Sequence, residues 1–161
     1  MAMTIKTDGL TEVSEMLARL GDRAQDVASG ALYDGAGIVA DAFSAAVRSI
    51  RTEPFRYAPP GKTRLPSPEE KEALTGATGV AKFRKNGSEV DTVVGVSASA
   101  GYADIAGHPK AVRMIARSIN SGTSFMKKQP IFRKAKSQSQ NAAKAAIVAK
   151  AEQMFDEIIK G

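Results

Sequence analysis

The chain has 161 residues, of which 43% are hydrophobic and 25% charged, so we predict one globular domain over residues 1–161, with no membrane span or secretory signal. The absence of cysteine and the single histidine exclude disulfide frameworks, cysteine-ligated metal sites and multi-histidine metal sites, so we expect no metal and no cofactor. The net charge of +6 divides into −3 for residues 1–50, +4 for residues 51–126 and +5 for residues 127–161. One interpretation is a solvated helix face that keeps the protein soluble. The others are assembly of an acidic face against a basic one, and contact with nucleic acid or an acidic protein.

The N-terminal third predicts a short strand followed by helices. Residues 3–7 predict the strand, and Asp8 or Thr11 is a suitable N-cap for a first helix that ends near residue 20. A longer helix is predicted over residues 22–50. Its apolar stripe is rich in alanine, so we expect another element to approach it closely.

The next segment, residues 51–68, holds five of the seven prolines and predicts a long extended loop. Loops of this length in compact domains are usually functional or mobile. Basic and aromatic side chains alternate along it, which is typical of an arm that binds a partner or nucleic acid; a solvated connector is the alternative. The candidate interface residues in the loop are Arg51, Phe55, Arg56, Tyr57, Lys62 and Arg64.

The middle of the chain predicts a short helix and then β-structure. Ser67 is a suitable cap for a helix over residues 68–74, and the helix dipole favours the acidic residues of its first turns, which are a poor candidate for paired catalytic carboxylates. Asn86-Gly87 between two β-rich runs predicts a hairpin. The alternation of Val90, Thr92 and Val94 with polar or small residues predicts one face packed on the long helix.

The C-terminal part predicts a loop over residues 97–108, a helix from Pro109 to Gly122, a loop over residues 122–135 and a last helix over residues 136–160. A strand over residues 111–119 is the alternative to the helix that begins at Pro109. The only histidine, His108, falls in a surface loop. Since no catalytic spacing of serine, histidine and carboxylates is present, we expect no enzyme activity.

Two short blocks precede the last helix, Gly122-Thr123 and the segment 130–135. Together with the alanine-rich long helix and the middle hairpin, in that order, they resemble the tail-component or neck family of long-tailed bacteriophages, also called tail-completion or head–tail joining proteins. Asn120 and Ser121 depart from that family, which has Glu and an aromatic residue there, and its Thr-Gly-x-Leu-x-x-Ser-Ile motif is not recognisable. The residues that carry the resemblance are Gly122, Thr123, Pro130, Phe132, Arg133 and Ala135.

The resemblance implies a non-enzymatic structural protein of the virion neck, assembled in the host bacterial cytoplasm. It would form a six- or twelve-fold ring of identical copies between the portal or head-completion assembly and the tail tube or tail terminator, with genomic DNA passing through the lumen without sequence reading. The alternatives are a basic DNA-binding or packaging accessory protein, and a tail terminator or minor tail component. We expect Phe132 to anchor the core, and a second candidate interface at Lys127, Lys128, Arg133 and Lys134.

Overall fold

A computed structural model describes residues 2–5, 21–87 and 89–160, and in these ranges the chain has the predicted α+β architecture, with long helices packed on small antiparallel sheets. A 3₁₀ turn at Gly21–Arg23 leads into the first described helix. The helices are α1 (Ala24–Arg48), α2 (Pro68–Gly76), α3 (Val112–Ser121) and α4 (Ile131–Lys160). The strands are β1 (Ala2–Ile5), β2 (Thr78–Val80), β3 (Arg84–Asn86), β4 (Glu89–Val96), β5 (Tyr102–Ile105) and β6 (His108–Ala111).

The long helices α1 and α4 form an antiparallel pair at the centre of the core. A Cβ at Gly35 of α1 would overlap the Ile147 side chain of α4, so the helix axes approach closely there. Towards the other end of the pair, the rings of Phe43 and Phe132 lie 4.8 Å apart. The expectation that another element packs closely on the alanine-rich helix is confirmed, and Phe132 contacts the core as expected.

The larger sheet has β4 at its centre, with β1 on one side and β2 and β3 on the other, all antiparallel to it. Val90, Thr92 and Val94 of β4 are buried as predicted, and β4 packs against α1. The hairpin is also confirmed, but Asn86 belongs to β3 rather than to the turn, because it pairs with Glu89.

The predicted run before that hairpin is divided into two strands by a β-bulge. Val80 pairs with Val94 while Arg84 pairs with Asp91, so the three residues 81–83 oppose two residues of β4. The buried Thr92 hydroxyl donates to the Ala81 carbonyl at 2.8 Å, which stabilises the bulge.

The prediction of a loop over residues 97–108 is correct for residues 97–101 and wrong from Tyr102 onward, because β5 and β6 form a second hairpin there. Its two-residue turn is Ala106-Gly107, with φ of 53° and 79°. A type I′ turn, whose twist matches that of the strands, requires positive φ at both residues. The sequence did not predict this turn because Ala-Gly replaces the usual Asn-Gly or Asp-Gly. Pro109 lies within β6, so the helix begins at Val112, and the alternative of a strand over residues 111–119 is also wrong.

The remaining predictions concern where α2 and α4 begin and what the N-terminal segment forms. Ser67 forms a full capping box at the start of α2. Helix α4 begins at Ile131, five residues earlier than predicted, because the Asn120 side chain accepts the Phe132 N–H at 3.1 Å and so caps the new start. The predicted N-terminal strand is present as β1, whereas the first predicted helix lies outside the described residues. None of the helices in the described ranges is both long and apolar enough to cross a membrane.

Candidate interaction surface

The two candidate interface segments, residues 51–66 and 122–135, lie side by side although they are far apart in sequence. Arg64 and Met126 form a parallel β-bridge, in which the Arg64 N–H donates to the Phe125 carbonyl and the Lys127 N–H donates to the Arg64 carbonyl, both at 2.8 Å. As predicted, residues 51–67 form no helix or strand, but this bridge holds them against the body of the protein.

A second contact joins the start of the proline-rich loop to the turn before α4. The Arg51 N–H donates to Gln129 Oε1 at 2.9 Å, and Gln129 Nε2 donates back to the Arg51 carbonyl at 3.0 Å. One side-chain amide therefore satisfies both backbone groups of Arg51. The loop is anchored at both ends, while its tip over residues 59–63 is exposed.

A buried ion pair fixes the loop end that precedes α2. Both terminal nitrogens of Arg64 donate to the Glu70 carboxylate at 2.7 Å, and these side chains are 4% and 2% exposed. The Ser67 N–H and the Lys110 ammonium donate to the same carboxylate at 2.9 and 3.2 Å. Burial raises the pKa of Glu70, but the hydrogen bonds from Arg64, Ser67 and Lys110 outweigh it, so its pKa lies below the ordinary value.

The burial of Arg64 corrects its assignment as an interface residue. Its guanidinium is used within the chain, and Arg64→Glu would place a second carboxylate against Glu70, so charge reversal there would test folding rather than assembly. Phe55 is partly buried against the core, and Arg64 and Lys110 lie 5.0 and 5.1 Å from its ring centre. Among the acidic residues in the first turns of α2, Glu70 is the buried structural partner of Arg64.

Arg56, Tyr57 and Lys62 remain exposed on the outer side of the loop. Tyr57 is 74% exposed and meets the Phe55 ring edge-on at 5.4 Å. Arg56 forms a bidentate pair with Glu53. The Leu65 N–H and then this guanidinium hold the pKa of Glu53 below its ordinary value. These three exposed residues do not line the groove between the end of α1 and the start of α4.

A groove of about 530 Å³ lies where the C-terminal end of α1 meets the start of α4. Four of the ten candidate interface residues converge on it, from both segments: Arg51, Lys128, Arg133 and Lys134. The other lining residues are Ser49, Ile50, Gln129, Pro130, Ile131 and Ser137. None of the described lining residues is Asp or Glu, so the described lining has one charge sign. Lys127 is exposed beside it without lining it.

The residues that carry the family resemblance shape the corner between α3 and α4. Gly122 ends α3 with φ of +75°, as predicted for a C-terminal stop, and a Cβ there would lie 3.0 Å from the Lys128 Cβ. The Thr123 hydroxyl accepts the Met126 N–H at 3.0 Å. Ala135 is fully buried against the core, while Pro130 and Arg133 are exposed at the groove.

Sequence reasoning missed four residues that hold this surface together. Glu70 and Lys110 complete the buried network, Gln129 joins the two segments, and Asn120 caps α4. Only Glu70 carried a local signal, its position in the capping box. The other three act on residues 12 to 78 positions away, which no local pattern indicates.

In the part of the chain that the structure describes, no three His, Asp or Glu side chains come together as a metal site. His108 is exposed in β6. Comparisons with protein-family models, with curated proteins and with solved structures found no match.

Proposed function

We propose that this protein is a non-enzymatic structural component of a bacteriophage neck, which assembles with copies of itself into a ring between the head and the tail. The observation that carries the proposal is the joint surface of residues 51–66 and 122–135. Both segments were singled out by their sequence, and hydrogen bonds hold them as one ordered, largely exposed surface. Surfaces ordered before binding lose less conformational freedom on assembly.

The charge distribution and the resemblance also support this proposal. Residues 1–50 have a net charge of −3 and residues 127–161 have +5, and a closed ring requires two different, complementary faces on each copy. The residues that carry the resemblance form the corner beside the groove, so the part of the chain that is similar to neck proteins is also the part that presents the candidate interface.

The test is electron microscopy of lysates from a phage in which this gene is silenced. We expect filled heads separated from complete tails. Tails of abnormal length, or no tails, would instead support a tail terminator or minor tail component. Intact infectious particles would contradict the proposal.

Complementation sharpens this test. A plasmid copy carrying Arg133→Glu and Lys134→Glu is expected to restore few particles, because both side chains line the groove. The matched control carries Lys85→Glu and Lys144→Glu, two exposed cations away from it with the same change in net charge, and is expected to restore normal yield. Equal yields from the two variants would remove the groove from the interface.

A DNA-binding or packaging accessory protein is the second candidate, and the cationic groove favours it. In that case the silenced lysate would contain empty or partly filled heads with normal tails.

A further inference from the structure

The groove between the end of α1 and the start of α4 carries positive charge that no acidic side chain among the described residues neutralises. Arg51, Lys128, Arg133 and Lys134 form no ion pair with any described residue, and only Lys134 has a side-chain partner there, the Ser49 hydroxyl at 3.0 Å. In contrast, Arg64 and Lys110 are both paired with Glu70, and Arg84 is paired with Asp91.

The neighbouring backbone does not cancel this charge. The C-terminal carbonyls of α1, which carry partial negative charge, are covered by the Lys71 ammonium, which donates to the Arg48 and Ile50 carbonyls at 2.6 and 3.1 Å. At the start of α4, the N–H groups of Ile131, Phe132 and Lys134 already donate to oxygens of this chain. An anion in the groove would therefore be held mainly by side chains, since only the Arg133 N–H of this first turn has no oxygen partner among the described residues.

The excess of positive charge continues well beyond the groove. From Ile105 to Ala151 the sequence contains ten Lys and Arg residues and no Asp or Glu. Eight of the ten are exposed on α3, the corner and α4, while Lys110 of β6 is paired with Glu70 and Lys150 is partly buried. A small anion would use only the groove, whereas a long polyanion with regularly spaced charges can contact the groove and continue along the same run.

We propose that the groove binds the phosphate backbone of duplex DNA without reading its sequence. Lysine and arginine are the residues that proteins use for phosphate contacts, and such contacts position the duplex without carrying sequence information. The alternative occupant is an acidic segment of a neighbouring copy, which ring assembly through this groove would use. The exposed cations of α3 and α4 outside the groove, Arg113, Arg117, Lys136 and Lys144, favour the longer polyanion. This inference rests on the proposed neck function only in naming duplex DNA as the polyanion.

The test measures binding of the full chain to a fluorescent DNA duplex of about 30 base pairs by anisotropy, across a salt series. Four phosphate contacts correspond to a slope of about −3.6, or steeper, in a plot of log binding constant against log salt concentration. The groove variant carries Lys128→Gln, Arg133→Gln and Lys134→Gln, and its slope should be smaller by about 2.7. Between 50 and 200 mM salt, wild-type affinity should then fall about 40-fold further than that of the variant.

The matched control carries Arg23→Gln, Lys82→Gln and Lys85→Gln, which are exposed, lie outside both the groove and the run from Ile105 to Ala151, and produce the same net charge. It should keep nearly the wild-type slope, and two unrelated duplex sequences should bind within about twofold of each other. Thermal melting establishes that both variants are folded. If the triple variant does not fold, the three single variants replace it, each with a slope smaller by about 0.9.

Three results would overturn the proposal: no binding by the wild-type chain, equal loss in the groove and control variants, or displacement of the duplex by poly-glutamate as efficient as by unlabelled DNA. The last result would make an acidic protein the partner. If only the DNA-binding proposal is wrong, the silenced lysate still contains filled heads separated from tails. If only the neck function is wrong, the silenced lysate contains intact particles and the chain still binds the duplex.

Discussion

Replacing Arg64 by methionine removes one partner of the buried ion pair while keeping a side chain of similar length. Glu70 then retains the Ser67 N–H at 2.9 Å and the partly exposed Lys110 ammonium at 3.2 Å, but loses two hydrogen bonds of 2.7 Å. The Leu65 carbonyl also loses its donor, the Arg64 side chain. The variant therefore leaves a buried carboxylate with only part of its compensation.

Removing one member of a buried pair typically costs about 3–5 kcal/mol, and we expect the lower value, about 3 kcal/mol, because Lys110 remains. For a chain of this size, the loss corresponds to a decrease in melting temperature of about 6–12 °C. Adding Glu70→Gln to the variant should recover about 1–2 kcal/mol, because glutamine still accepts from Ser67 without leaving a buried charge.

Urea denaturation followed by circular dichroism measures these changes. Arg84→Met is the matched control, because Arg84 forms the same bidentate pair with Asp91, at 3.0 and 2.9 Å, on an exposed surface. It should cost less than about 1 kcal/mol. If Arg64→Met cost no more than this control, the ion pair would not be buried in solution, and the loop would not be held as described.

Three further predictions concern pH, helix packing and a turn. Because the pKa of Glu70 is lowered on folding, stability should fall as pH drops below the unfolded value of 4.5, where the unfolded chain takes up the proton first. Urea titrations at several pH values should show a weaker pH dependence of stability for Glu70→Gln than for the wild-type chain. An equal dependence in both proteins would contradict the role given to Glu70. Gly35→Ala should destabilise the protein by about 1–3 kcal/mol, because the added Cβ would overlap the Ile147 side chain. Gly37→Ala on the same helix should stabilise it by up to about 1 kcal/mol, because a Cβ there meets no atom within 4 Å. Similar melting temperatures for the two variants would refute the close helix contact. Ala106→Asn should stabilise the second hairpin by about 0.5–1 kcal/mol, because asparagine tolerates the observed φ of 53° better than alanine, and an unchanged or lower melting temperature would speak against that turn.

Much of the local structure could be predicted because its signals lie within a few residues of each other. Ser67 and Glu70 form the capping box three positions apart, and Gly122 ends α3 with a positive φ. The alternation along β4 indicated its buried face. These features depend on backbone propensities and periodicity, which nearby residues determine.

Predictions failed where a contact that no residue pattern signals changed a local backbone preference. Helix α4 begins before the expected residue because Asn120 supplies a cap from another helix. The β5–β6 hairpin forms around Ala106, whose unfavourable backbone conformation is maintained by strand pairing and by Asp104, which accepts the Gly107 N–H. Propensity is a weak term that tertiary contacts of a few kcal/mol readily override.

The same distinction between local and tertiary determinants applies to the candidate site. The sequence by itself determined which residue types were available: an excess of cations in the C-terminal half, an irregular proline-rich loop, and no catalytic or metal-ligating spacing. Only the tertiary structure decided their roles, because it buried Arg64 against Glu70 and left Arg51 beside Lys128 at an open groove. Whether a charge is neutralised inside the fold or presented to a partner depends on which distant residues the packing of the core brings next to it, and chain order alone does not specify that packing.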